Sequence, residues 1–179
     1  MFIDADGDGK TYVELQVNPK GVTYDSYLPT YRQNNNDWES GMKVGVKVDG
    51  TLNKRDDVDK QWVAELAIPL TAALGKEKEM KGVPPKVGTV WRVNFFRMDQ
   101  PNNRPQSGTG WSPPLVGDFH TLDKFGEIIF ADEKGKVPGV AEDKTAPATK
   151  KAEAGDATKK PASELARKNV HAAAKPAEQ

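Results

Sequence analysis

The sequence predicts an all-β protein, an antiparallel β-sandwich followed by a disordered tail. Short segments in which apolar and polar residues alternate are bounded by Gly, Pro, Asn or Asp, a pattern typical of antiparallel strands with one buried face. No strand–helix alternation of the kind that builds a parallel sheet is visible. From Asp132 onward large apolar residues almost disappear, and such a segment cannot bury enough surface to offset its ordering entropy. We therefore divide the chain into a domain at residues 1–131 and a tail at residues 132–179.

The first predicted element is a hairpin with an acidic tip. Phe2 and Ile3 end one strand, residues 4–9 (DADGDG) form the turn, and residues 12–17 form the second strand. Glycine permits positive φ in such a turn, and aspartate side chains accept hydrogen bonds from nearby backbone N–H groups.

Five later segments predict further strands, at residues 22–28, 43–48, 62–68, 90–97 and 125–130. Trp91, Val93 and Phe95 share one face of the segment 90–97, the strongest strand candidate. Residues 70–74 predict one helical turn, closed by Gly75. Residues 100–117 predict a long loop rich in Pro, Gly and Asn.

Composition excludes several classes of function. Twenty-six basic and 26 acidic residues give a formal net charge of zero, so no strongly basic surface is available for nucleic acid or an anionic membrane. The chain has no cysteine, no apolar run long enough to span a bilayer and no signal peptide after Met1. It also has no zinc-protease, nucleophile-elbow or phosphate-loop motif. We therefore expect a protein that is not an enzyme and binds no nucleic acid.

Several segments carry a resemblance to a known family. The segments FIDADGDG and YVELQVNP, followed in order by WVAELAIP, WRVNFFR and FGEIIF, resemble the central hairpin and later strands of family 9 carbohydrate-binding modules and the wider DOMON-like sandwich group. The resemblance covers residues 2–130 and implies a sandwich whose N-terminal strands are absent from this sequence. It implies a non-catalytic carbohydrate-binding module, or a degenerate relative, that tethers an extracytoplasmic or secreted parent protein to polysaccharide or the cell surface.

Two tryptophans in loops are candidates for sugar stacking. An exposed aromatic ring packs against the apolar C–H face of a pyranose, so Trp38 and Trp111 are candidate binding residues. Trp111 precedes Ser112-Pro113-Pro114, and the alternative is a ring that anchors the long loop. Trp62 and Trp91 fall in strand patterns and are predicted to be core residues.

Three further residues are sugar-site candidates. The resemblance places Phe119 near an aromatic residue that clamps the sugar, just before the last strand, and Gln16 at the position of an arginine that bonds it. Arg97 follows the strongest strand, where it would bond ligand hydroxyls or form a local ion pair with Asp99.

The acidic turn leaves two alternatives open. Asp4, Asp6 and Asp8 follow the spacing D-x-D-x-D-G, and calcium prefers six to eight oxygen ligands. An EF-hand is excluded, because Leu15 stands where its twelfth loop residue would be glutamate. The turn is either a solvated hairpin tip or a structural calcium site, and the resemblance implies calcium.

Other function classes also stay open. Some DOMON-like sandwiches hold haem for electron transfer, for which Met98 and His120 are the candidate axial ligands. A structural or interaction domain without a small ligand is the third reading. Since the resemblance implies missing early strands, we also expect low stability or a homodimer through an unpaired sheet edge.

Overall fold

The fold is built almost entirely from antiparallel strands, which confirms the predicted all-β class. The computed structural model describes residues 1–54, 56–100 and 105–139. The strands are β1 Phe2–Asp4, β2 Tyr12–Val17, β3 Thr23–Leu28, β4 Lys43–Asp49, β5 Gln61–Ala67, β6 Val90–Asn94, β7 Phe96–Asp99, β8 Ser107–Gly110 and β9 Gly126–Ile129. Two short 3-10 helices occupy Leu70–Leu74 and Leu122–Lys124. Most of the predicted tail, residues 140–179, lies outside the described residues.

A five-stranded sheet forms the centre of the fold, with the strand order β3-β2-β1-β6-β9. The short strand β1 is central, because Ile3 pairs with Val13 of β2 on one side and with Val93 of β6 on the other. The hairpins β4–β5 and β7–β8 form two smaller sheets. None of the helices in the described part of the chain is both long and apolar enough to cross a membrane.

Each face of the central sheet packs against its own core. Side chains alternate along a strand, so the neighbours Phe2 and Ile3 enter different cores. The Ile3 core contains the following buried residues: Ile3, Ala5, Val13, Leu15, Tyr27, Trp38, Ala72, Ala73, Trp91 and Val93. The Phe2 core contains Phe2, Tyr12, Leu28, Leu122 and Phe125, with Phe96 and Phe119 packed against it.

The strand predicted at residues 90–97 is broken at Phe95. Strand β6 ends at the buried Asn94, whose side-chain amide donates to the Ser112 carbonyl over 2.6 Å and accepts from the Ser112 N–H over 3.0 Å. Strand β7 then starts at Phe96 and pairs with β8, which lies inside the predicted long loop. Phe95 is 46% exposed whereas Trp91 and Val93 are buried, so the prediction that the three residues share one face of a continuous strand is wrong.

The β4–β5 hairpin confirms the predicted alternation. Val48 lies opposite Trp62, and Val46 lies opposite Ala64, so the apolar residues share one face. That face is only half-buried, and Trp62 belongs to neither buried core. Trp91, by contrast, is buried as predicted, and its Nε1 donates to the Gly82 carbonyl over 2.9 Å.

Substitution of Gly75, at the end of the first 3-10 helix, is expected to destabilise the fold. Its φ is 59°, and a Cβ placed there would lie 2.0 Å from Cδ2 of the buried Tyr27. We expect Gly75→Ala to destabilise the fold by about 2–4 kcal/mol, since backbone strain and overpacking add. Urea unfolding followed by circular dichroism measures this. Gly45→Ala on β4 is the matched control, because its Cβ would meet nothing within 4 Å. Equal effects of the two changes would contradict the packing described for Tyr27.

Candidate functional site

The acidic turn is shaped by its own carboxylates. The carboxylate of the buried Asp4 accepts the N–H of Gly7 over 2.8 Å and that of Gly9 over 3.1 Å. Asp8 accepts the N–H groups of Lys10 and Thr11 over 2.7 and 3.0 Å. Both glycines have a φ of 70°, which glycine adopts without strain. The predicted acidic hairpin turn is therefore confirmed.

The same turn has the donor set of a calcium site. Carboxylate oxygens of Asp4, Asp6 and Asp8 lie within 4.8 Å of one another. Burial raises the pKa of Asp4 to about 6, the Gly9 and Gly7 N–H groups lower it, and the charges of Asp6 and Asp8 raise it. A cation among these oxygens would favour the ionised form. A carboxylate offers about four lone-pair sites, so oxygens that already accept N–H groups can also bind a metal ion, and the residues fit calcium.

A polar network lies beside the turn and joins two loops. Tyr31 Oη donates to Asp118 over 2.6 Å, and Arg32 Nη2 donates to the other Asp118 oxygen over 2.7 Å. Burial alone would raise the pKa of Asp118, but hydrogen bonds from Tyr31, the His120 N–H and Arg32 outweigh it and lower the pKa to about 2. The Asp118 carboxylate therefore links residues 31–32 to residues 118–120.

His120 is hydrogen-bonded to Tyr12. The Tyr12 hydroxyl lies 2.7 Å from His120 Nδ1 and also accepts the Arg32 N–H over 3.1 Å. The tautomer of His120 decides which of the two groups donates the proton in their hydrogen bond. Desolvation by burial lowers the pKa of His120, although the Glu14 charge raises it. The ring packs edge-on against Phe2, with centroids 5.0 Å apart.

Sequence reasoning missed most of this network. His120 was considered only as a haem ligand, and Tyr12, Tyr31, Arg32 and Asp118 were not candidates. Tyr12 and His120 are 108 positions apart, and Arg32 and Asp118 are 86 apart. No local spacing can report such contacts, because the fold alone creates them. A Tyr-Arg pair within a polar loop was the one signal present.

Two cavities flank the acidic turn, and Arg92 of β6 lines both. The larger cavity, of about 890 Å³, is also lined by Lys81, Lys86 and Glu127. The smaller, of about 360 Å³, is also lined by Tyr31, Asp118 and His120. This end of the molecule thus brings charged, hydroxyl and aromatic groups together.

Trp111 presents a half-exposed ring on a fixed support. It is 53% exposed, and a Cβ placed on Gly126 would lie 2.4 Å from Trp111 Cζ3, so the ring rests on the bare backbone of β9. Phe95 packs against it nearly edge-to-face, with centroids 5.8 Å apart and an interplanar angle of 69°. Trp111 therefore packs on the sheet, as the alternative of an anchoring ring predicts, and also remains half-exposed.

Trp38 is a correction to the predicted site. It is only 9% exposed and belongs to the Ile3 core, so its ring is not available for sugar stacking. The chain on either side is tied back to β3: Asn35 pairs with Tyr27, and the Ser40 N–H donates to Asp25 over 2.9 Å. Because the chain is bonded to β3 on both sides of Trp38, the Trp38 ring lies in the core.

Two of the remaining candidates lie on or against the β7–β8 hairpin. Phe119 packs on Phe96, with centroids 4.5 Å apart. Arg97 lies opposite Thr109 in the same hairpin, and its Nη2 is 3.3 Å from Asp99, which matches the local ion pair considered as an alternative. Gln16 is elsewhere, on β2 in the central sheet, where it donates to Glu14 over 2.6 Å.

Of the two haem-ligand candidates, His120 has a hydrogen-bond partner and Met98 lies half-exposed. Met98 lies half-exposed on β7, where its Sδ would be 3.2 Å from a Cβ on Gly108. His120 Nδ1 is bound by Tyr12, which leaves Nε2 as its free ring nitrogen. Haem binding stays a prediction.

Comparison with known proteins gives one informative similarity. The chain is 28% identical over 130 residues to a protein named "Extracellular protein" from Arthroderma benhamiae, which covers 69% of this chain and 55% of that protein. The chain thus spans about half the length of that relative. No protein-family model and no solved structure matches the chain.

Proposed function

We propose that this protein is a non-catalytic carbohydrate-binding domain that acts outside the cytoplasm and tethers a parent protein to polysaccharide. The observation that carries the proposal is the half-exposed ring of Trp111, backed by Gly126 and Phe95. A ring fixed in this way loses little conformational entropy when a sugar stacks on it. The name of the fungal relative supports the extracytoplasmic location.

Polar groups near Trp111 suit the hydroxyls of a sugar ring. Arg97 and Asp99 lie exposed on β7, and their pairing at 3.3 Å leaves most of their donors and acceptors available. Carbohydrate recognition needs such groups beside an aromatic face, because the hydroxyls must exchange water for equivalent partners. The resemblance to family 9 modules supports the same ligand class.

The acidic turn is proposed to hold a structural calcium ion. Asp4, Asp6 and Asp8 would supply carboxylate oxygens, and the ion would offset their mutual repulsion. Calcium there would stabilise the end of β1 and the start of the β1–β2 connection, with no direct role in sugar binding.

Trp111→Ala is expected to weaken polysaccharide binding at least about tenfold, or about 1.4 kcal/mol. Gly126→Ala is expected to do the same, because the added methyl group displaces the ring. Depletion of the protein from solution by insoluble cellulose, xylan, chitin and β-glucan measures the affinity. Leu115→Ala is the matched control, since it removes an exposed apolar side chain from the same loop without touching a ring. Equal losses for Trp111→Ala and Leu115→Ala, or no binding by the unmodified protein, would refute the proposal.

A further inference from the structure

We propose that the cleft around Arg92 binds an acidic sugar, a uronic acid unit within a polysaccharide. This inference rests on the proposed carbohydrate binding but uses a site separate from the Trp111 ring. It assigns a ligand class to the two cavities that flank the acidic turn.

Arg92 is a cation whose donors are largely unused. Among the described residues its guanidinium donates once, from Nη2 to the Asp123 carbonyl over 3.1 Å. Its Nε is buried without an acceptor, and no carboxylate in the described part of the chain lies within 4.0 Å as an ion-pair partner. Arginine has five N–H donors in a planar fork that matches a carboxylate. The Nη1 donors and the second Nη2 donor of Arg92 bind no acceptor among the described residues and can meet an external acid.

The absence of an ion pair is notable because acidic residues flank Arg92 on both sides. Asp4 of β1 and Glu127 of β9 are its register partners. The Asp4 carboxylate is directed instead to the N–H groups of Gly7 and Gly9. The aliphatic part of Arg92 passes beside Gly7, where a Cβ would lie 3.6 Å from its Cδ. The acidic turn therefore positions the guanidinium without neutralising it.

Two lysines add positive charge to the larger cavity. Lys81 and Lys86 are exposed on its rim, and neither forms an ion pair with any of the residues that the structure describes. Cations arranged around a concave surface raise the local concentration of anionic ligands. The volume of about 890 Å³ is within the range of small-molecule sites.

Carboxylates in the same cavities restrict the kind of anion. Asp6 and Glu127 line the larger cavity, and Asp118 and Asp123 line the smaller one. They would repel a densely charged sulfate or phosphate polymer, but they accept hydrogen bonds from hydroxyl groups. A ligand with one carboxylate and several hydroxyls on each sugar unit satisfies both sets of groups. A uronic acid has this composition.

The test compares short oligogalacturonate with its methyl ester, which differs only in the masked carboxylates. Isothermal titration with the full chain is expected to show at least about tenfold tighter binding of the free acid. Arg92→Gln is expected to abolish this preference, whereas the matched control Lys47→Gln on β4 should retain it, because Lys47 is exposed and lies outside both cavities. Circular dichroism checks that each variant is folded.

Should Arg92→Gln fail to fold, the double change Lys81→Gln and Lys86→Gln tests the same cleft. We expect it to reduce the preference for the free acid several-fold. Equal affinity for acid and ester, no binding of either, or tighter binding of inorganic phosphate than of oligogalacturonate would overturn the inference. Neutral polysaccharide binding that still depends on Trp111 would then show that the proposed function stands while the uronate site fails.

Discussion

Replacing Trp38 with alanine is expected to destabilise the fold by about 3–5 kcal/mol, the range for removing a buried tryptophan from a core. Trp38 packs with Val13 and Trp91 under the central sheet, so alanine would leave a cavity there. Trp111→Ala should change the free energy of unfolding far less, since its ring is half-exposed. Urea unfolding followed by far-ultraviolet circular dichroism compares the two variants directly.

These two loop tryptophans form a matched pair, because sequence alone assigns them the same role. A large loss of stability for Trp111→Ala with little loss for Trp38→Ala would show that the cores have been assigned to the wrong residues. It would also remove the basis for treating Trp111 as a binding residue.

The carboxyl group of Asp4 is expected to make the fold less stable as pH rises from 4 to 7 without calcium. Its folded-state pKa of about 6 lies above the ordinary 3.8, so the folded protein binds this proton more tightly than the unfolded chain does. Its contribution to stability is therefore fully present below pH 4 and is lost as pH rises through 6. The difference in pKa corresponds to about 3 kcal/mol.

Thermal unfolding is measured across this pH range for the unmodified protein and for Asp4→Asn. The difference between them isolates the contribution of the Asp4 carboxyl group to stability, because the other titrating groups are common to both proteins. The unmodified protein should lose about 3 kcal/mol relative to the variant. Millimolar calcium at pH 7 should raise the melting temperature of the unmodified protein and leave Asp4→Asn less affected. Asp56→Asn is the control, because the carboxylate of Asp56 is exposed and lies outside the acidic turn. Parallel pH curves for the unmodified protein and Asp4→Asn would contradict the assigned pKa.

Most of the fold was predictable from local patterns. Alternation located β2, β4 and β5, and the glycines and aspartates located the acidic turn. The break at Phe95 was not predictable, because it depends on the hydrogen bonds between Asn94 and Ser112, which lie 18 positions apart. Strand β8 has the sequence SGTG and carries no apolar signal. Its place is set by pairing with β7.

The candidate site was only partly predictable. Residue type marked Trp111 and the three aspartates as candidates, because an aromatic residue in a loop and a repeated acidic spacing can be read from the sequence alone. Burial separated Trp38 from Trp111, and that depends on the contacts of residues 35–40 with β3. The role proposed for Arg92 rests on two cavities that exist only in the folded chain.

The most direct test of carbohydrate binding is an NMR titration that follows the indole N–H signals of the four tryptophans. The ligands are soluble fragments of the insoluble polysaccharides that bind the protein in the depletion assay. These oligosaccharides should shift the Trp111 signal. The Trp91 signal, whose N–H is bonded to Gly82 inside the fold, should stay in place. A bound sugar that leaves Trp111 unchanged, or the absence of any shift with all of these oligosaccharides, would contradict the account.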